Sequence, residues 1–227
     1  MHIAENHPQS QGGECKMNSI FKPHPWHGLS LYTESEDEVQ AFIEIVPADT
    51  VKYEIDKNSG YLKVDRPQKY SNKFPCLYGF LPQTYSGEVI AEYTRGVLKD
   101  PELVGDQDPV DICVLTEAAI SHGNIILNAI PIGGFRMIDQ GEVDDKIIAV
   151  LKDDPLYGHM KDIKDCPEKI TERLKHYFTT YKEIPGESNK PGKCQIVQTY
   201  GRDEAFRVID LCYQDYVKTY GQKMDQK

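Results

Sequence analysis

Two kinds of apolar repeat divide this chain, and they do not alternate. From Phe42 to Val150 the apolar residues recur every second position or in short continuous runs: AFIEIVP, TVKYEID, YLKVDR, VDICVLTE at 110–117, NIILNAIPIGGFRMID at 124–139 and KIIAVL at 146–151. These patterns predict strands, and Lys57-Asn58-Ser59-Gly60 between the second and third runs predicts a hairpin turn. Helical spacing arrives only later. Ile170, Leu174, Tyr177, Phe178 and Tyr181 mark one helix, with Pro167 suited to its first turn, and Phe206, Ile209, Tyr213, Tyr216, Val217 and Tyr220 mark another that Gly221 is placed to end. Strands first and helices last exclude a doubly wound parallel sheet and predict an α+β fold, a single-domain β-barrel with peripheral helices.

A chain of 227 residues with 39% apolar composition has the material for one substantial core. Residues 1–19 are polar and aperiodic, so they read as a flexible N-terminal tail, leaving 20–227 for the domain. The first twenty residues lack a basic and then apolar leader pattern, and no run is long enough to span a bilayer, so a cytoplasmic protein with no membrane partner is expected. The six cysteines form no C-x-x-C pair and read as reduced thiols. The formal net charge of −10 disfavours nucleic acid, and an anionic substrate would need cations to bring it in.

Chemistry is signalled where charges break the strand pattern. Glu44 shares a strand face with Phe42 and Val46, which predicts a carboxylate at least half buried and in need of compensation. Lys52, Glu54 and Asp56 share one face of the next strand, and Arg66 lies on the side of Leu62 and Val64. The strongest signal is Gly105-Asp106-Gln107-Asp108-Pro109-Val110-Asp111, three carboxylates running straight into the apolar ICVL. Hard divalent cations with oxygen ligands are the usual answer to such crowding, Mg²⁺ typically combining a few carboxylates with water and phosphate oxygens. Asp139, Glu142, Asp144 and Asp145 form a second acidic set before Lys146. Two acidic sets on one small β scaffold predict a multi-metal site. Lys52, Arg66, Lys146, Lys182 and Lys193, with Tyr78 and Tyr181, are the candidate phosphate clamps. GESNKPGK at 186–193 is not a P-loop, because its spacing is one residue too long and Cys194 follows.

In this order, IEIVPADTVKYEID, VDRPQKYSNKFPCLYGFLPQTY, GDQDPVD, PIGGFRMIDQGEVDDKIIAV and HYFTTYK resemble the soluble family I inorganic pyrophosphatases over roughly residues 24–220. The resemblance implies a five-stranded OB-like barrel with helices and Mg²⁺-dependent hydrolysis of pyrophosphate to two orthophosphates by a hydroxide bridging two metals. It implies Asp106, Asp111 and Asp144 as ligands of one activating metal, with Asp111 shared by a second. It implies Asp139 and Asp144 for a metal arriving with substrate, Glu54 for a further one through water, and Glu44 in support. Asp108 becomes the general base, and Lys52, Arg66, Tyr78, Lys146, Tyr181, Lys182 and Lys193 hold the phosphates of a Mg-pyrophosphate complex. It also implies a homo-oligomer, dimer or hexamer. Phe74 replaces a tyrosine common before Pro-Cys, Gln140 replaces a frequent glutamate, and 86–104 is longer than in the shortest bacterial forms, touching either a lid or an oligomer contact. The alternatives are a metal-dependent phosphatase acting on other phosphate compounds and a non-catalytic OB-like module binding divalent cations or nucleic acid.

Overall fold

The computed structural model describes residues 22–69, 72–182 and 194–224. The proposed tail therefore lies outside the described residues, as does Lys193. The elements are β1 (Val39–Ile45), β2 (Val51–Ile55), β3 (Leu62–Pro67), β4 (Leu77–Phe80), α1 (Glu88–Leu98), β5 (Val104–Gly105), β6 (Asp111–Leu115), β7 (Ile125–Asp139), β8 (Glu142–Val143), β9 (Lys146–Leu151), α2 (Glu168–Thr180), β10 (Cys194–Gly201) and α3 (Arg202–Met224). Every predicted strand and both predicted helices are present.

The barrel closes because β7 has the length to serve several partners. Its first residues pair with β1 (Val39↔Ala129 to Ile43↔Ile125), its middle with β9, and its last with β10. The ring β1-β4-β6-β9-β7 then returns to β1, five strands in all. This is the predicted α+β OB-like barrel, and closure removes the unpaired edges of an open sheet. Gly79 on β4 is required there: a Cβ would stand 1.9 Å from the Phe42 carbonyl oxygen of β1, which no side chain tolerates.

Two helices cover the ring. Ala205, Val208, Ile209 and Cys212 of α3 join one buried cluster, with Ala41, Ile43, Ile112 and Ile147. Leu174, Tyr177 and Phe178 of α2 join a second, with Ile45, Phe135 and Ile148. Trp26 is 2% exposed, so the His24-Pro25-Trp26-His27 segment is packed in place as an aromatic wedge against Tyr216 and Tyr220. Cys76, Cys113, Cys166, Cys194 and Cys212 are free thiols. Among the described residues, no helix is long and apolar enough to cross a membrane.

Some local expectations fail for identifiable reasons. Helix α3 runs through Gly221 to Met224, so that glycine does not end it. Pro167 is the residue before α2 with extended ψ, the cap rather than the first turn. Part of the 86–104 segment forms α1, which packs against α3, and none of its residues lines the cleft described below. Gly87 offers α1 no side-chain cap, and α3 supplies one instead. Asp215, 4% exposed, accepts from the backbone N–H groups of Gly87 (3.2 Å), Val89 (2.9 Å) and Ile90 (3.0 Å). Asp215→Ala strands the Val89 and Ile90 donors and leaves Gly87 N–H only the Tyr85 carbonyl at 3.1 Å, so its urea midpoint should fall by an amount equivalent to about 2 kcal/mol with an unchanged slope. An unshifted midpoint would mean that water replaces this cap without loss.

Candidate active site

Strand pairing assembles the site at one rim of the barrel. β6 and β9 run parallel with Asp111 opposite Lys146, each the first residue of its strand. Both side chains therefore reach the same rim, although they are far apart in sequence. β4 lies on the other side of β6 and brings up Tyr78, whose hydroxyl donates to Asp111 Oδ2 at 2.5 Å. The tight β7–β8 turn, with Gln140 and Gly141 at positive φ, presents Asp139, Glu142 and then Asp144. Beneath it the fully buried Arg136 guanidinium pairs with Asp145 at 3.5 Å and Glu204 at 2.7 Å, while Tyr200 donates to Asp145 at 3.1 Å. That buried network fixes the residue between Asp144 and Lys146.

The residues surround a cavity of about 260 Å³. Asp106, Asp108, Asp111, Asp139, Asp144, Glu44, Glu54, Lys52, Lys146, Lys182, Tyr78 and Tyr181 all line it, so twelve predicted residues from six separate segments converge. Arg66 is not in that wall. It pairs with its neighbour Asp65, and of the residues on whose side it was placed, Leu62 packs against the Trp26 cluster while Val64 is 60% exposed. A register shift between Lys52 and Tyr53 interrupts the alternation of this hairpin, which is why period two does not carry across it. The cleft also contains Lys57, Glu142 and the aromatic wall of Phe74, Tyr177 and Phe178. The Phe74 ring lies tilted at 4.8 Å from that of Tyr78 and 4.7 Å from that of Tyr177, so the missing phenol is replaced by apolar packing.

Charge is concentrated here beyond what isolated side chains sustain. Burial pushes the Asp106 carboxyl up to about 9, and the charge of Asp144 adds to it. Burial likewise raises Glu44 to about 8, with Asp111 adding, although Glu44 Oε1 accepts from the Ile55 N–H at 2.6 Å. Asp144 is raised for the same reason, burial. Burial opposes the charge on Lys146, but Asp111 and Asp144, both ion-paired to it, outweigh that and hold its ammonium group well above the ordinary lysine range. Burial also opposes ionisation of Asp139, and the paired Lys182 reverses it.

The family description "Inorganic pyrophosphatase" matches residues 41–217. The inorganic pyrophosphatase of Chlamydia caviae is 52% identical over 204 residues, covering 89% of this chain and 94% of that protein. The chain belongs to the inorganic pyrophosphatase family. The Chlamydia muridarum inorganic pyrophosphatase is 51% identical over 199 residues, 87% of this chain and 95% of its own length. The crystal structure of the inorganic pyrophosphatase from Thermus thermophilus superposes with a TM-score of 0.69 at 26% identity, covering 85% of this chain and 98% of that one. As an inorganic pyrophosphatase the chain is an inorganic diphosphatase, a hydrolase that splits pyrophosphate into two orthophosphates. That activity sets aside the non-catalytic binding module as the alternative.

The pyrophosphatase family calls for a divalent metal, and the donor set fits one. The acids of the cleft are oxygen donors without sulfur or imidazole, the chemistry that hard divalent cations prefer. Among the described residues, no group of three or more acids already converges at ligand spacing. Lys146 lies between Asp111 and Asp144, and Lys182 sits on Asp139.

Proposed function

We propose that this pyrophosphatase is Mg²⁺-dependent and that residues 20–227 form its catalytic domain, with Asp108 as general base. The observation that carries this reading is the convergence of Asp106, Asp108 and Asp111 with Lys146 and Lys182 around one polar cleft. Asp106, Asp111, Asp139 and Asp144 would hold the cations, with Glu54 acting through water and Glu44 in support. Bound there, Mg²⁺ would neutralise phosphate oxygens and make a water acidic enough to react near neutral pH.

The protein's own groups then do the following. Asp108 accepts the proton of the attacking water, as it is only half covered and sits on the loop bearing Asp106 and Asp111. Lys146 and Lys182 trade carboxylate partners for phosphate oxygens, charge-assisted contacts worth roughly 1.5–3 kcal/mol each. Lys52, Tyr78 and Tyr181 orient the substrate, and the family resemblance adds Arg66, and Lys193 outside the described residues, as phosphate contacts. The resemblance to family I further supports a cytoplasmic homo-oligomer, dimer or hexamer, acting on Mg-pyrophosphate.

Phosphate release from pyrophosphate, triphosphate and ATP, each with Mg²⁺ and with EDTA, tests the reading. Pyrophosphate with Mg²⁺ should be hydrolysed far faster than ATP, and EDTA should abolish turnover. Turnover indifferent to EDTA overturns the metal dependence, and ATP cleaved as fast as pyrophosphate favours a broader phosphatase.

A further inference from the structure

Lys57 is a cleft residue whose position no strand pattern explains. It lies in the turn between β2 and β3, where Asp56 Oδ1 accepts from the Ser59 N–H at 2.8 Å and Gly60, at φ +73°, donates to the Asp56 carbonyl at 2.8 Å. This closed turn aims the lysine back at the barrel. Its Nζ pairs with Asp108 Oδ1, donates to the Gln107 carbonyl at 3.4 Å, and stands 6.0 Å from the Trp26 ring. Trp26 is itself anchored, donating from Nε1 to the Thr84 carbonyl at 2.8 Å, and Thr84 Oγ1 accepts from the Val110 N–H at 3.0 Å. The aromatic wedge, the hairpin turn and the acidic loop thus meet at one ammonium group.

The loop needs such a hold. Gln107, between Asp106 and Asp108, has φ +64°, the left-handed region that a side chain other than glycine occupies at a cost. Ser86 braces it from within, its carbonyl accepting from Gln107 N–H at 3.0 Å and its N–H donating to the Asp108 carbonyl at 2.8 Å. Ser86 fixes only the backbone of this loop, whereas Lys57 pairs with the Asp108 carboxylate itself. We propose that Lys57 is a positioning residue for the reaction: by engaging Oδ1 it turns the Asp108 carboxylate so that Oδ2 is left to receive the proton of the attacking water. This rests on Asp108 being the general base. The Lys57 and Asp108 side chains are 50% and 51% exposed, and a pair so open to water contributes little to folding. A loss of turnover on breaking it is therefore separable from a loss of stability.

The test is a double-mutant cycle on the full chain with Mg²⁺ and pyrophosphate, reading kcat, KM and Tm. Lys57→Met should lower kcat about tenfold, the scale of a displaced catalytic group, with KM within about twofold and Tm unchanged. Lys57→Arg, which keeps the charge, should recover most of kcat. In an Asp108→Asn background, Lys57→Met should have no further effect, because its target is already lost. Native kcat in Lys57→Met, with Asp108→Asn impaired, overturns the role of Lys57 alone. Full additivity in the double variant, or a loss confined to KM, also overturns it and makes Lys57 a direct phosphate contact. Native turnover in Asp108→Asn overturns the base assignment, and the role of Lys57 with it.

Discussion

In Asp108→Asn, kcat for pyrophosphate should fall by about two decades or more while Mg²⁺ binding stays close to native. The amide keeps the shape of the carboxylate and one acceptor oxygen, but it cannot take a proton. Asp108 is suited to this separation of roles by its place in the loop. Its neighbour Asp106 is turned inward and spends Oδ1 on the Asp108 N–H at 3.0 Å, whereas Asp108 points to the open side of the cleft. The backbone that sets both side chains is held by Ser86 and does not depend on the Asp108 carboxylate. The measurement is kcat against Mg²⁺ concentration, with binding of Mg²⁺ followed separately by calorimetry. A variant that loses Mg²⁺ and yet turns over normally once saturated would make Asp108 a ligand instead of the base.

Which parts of the site were legible in advance follows from how each residue is placed. The acids of GDQDPVD could be read because three carboxylates at the mouth of an apolar strand are anomalous in any fold. Glu44 was legible for a related reason: strand alternation put it among apolar neighbours, and it is 6% exposed. The Asp111–Lys146 partnership was not readable from periodicity, since it arises from parallel pairing of β6 and β9. β4 was missed because all four of its residues are buried, so it has no alternation to detect. Lys57 was passed over because turn lysines are usually solvated, and only the folding back of the hairpin brings it to Asp108. Arg66 shows the converse. Its alternation with Leu62 and Val64 suggested one inward face, but the register shift in the hairpin breaks that alternation: Leu62 packs against the Trp26 cluster while Val64 is 60% exposed.

Asp111→Asn should behave differently from Asp108→Asn, raising the Mg²⁺ concentration needed for half-maximal activity by at least about tenfold and lowering kcat even at saturation. Asp111 stands where β6 enters the barrel, and one oxygen already serves Tyr78 and Lys146. An amide there removes a full negative charge from the centre of the acidic set; its oxygen can still accept from Lys146 and Tyr78, but the N–H₂ in place of the second oxygen cannot ligate a cation. The charge lost matters twice. Lys146 keeps only Asp144 as an ion-paired partner, and Asp106 and Asp144 lose the acid expected to share a cation with them. Folding should survive the change, since Asp111 is only partly buried and its backbone pairing with Phe80 and Lys146 does not involve the carboxylate. The experiment is a Mg²⁺ titration of kcat beside thermal unfolding of both proteins. Half-saturation at the native Mg²⁺ concentration, in a folded variant, would remove Asp111 from the metal shell and leave it as a brace for Tyr78 and Lys146.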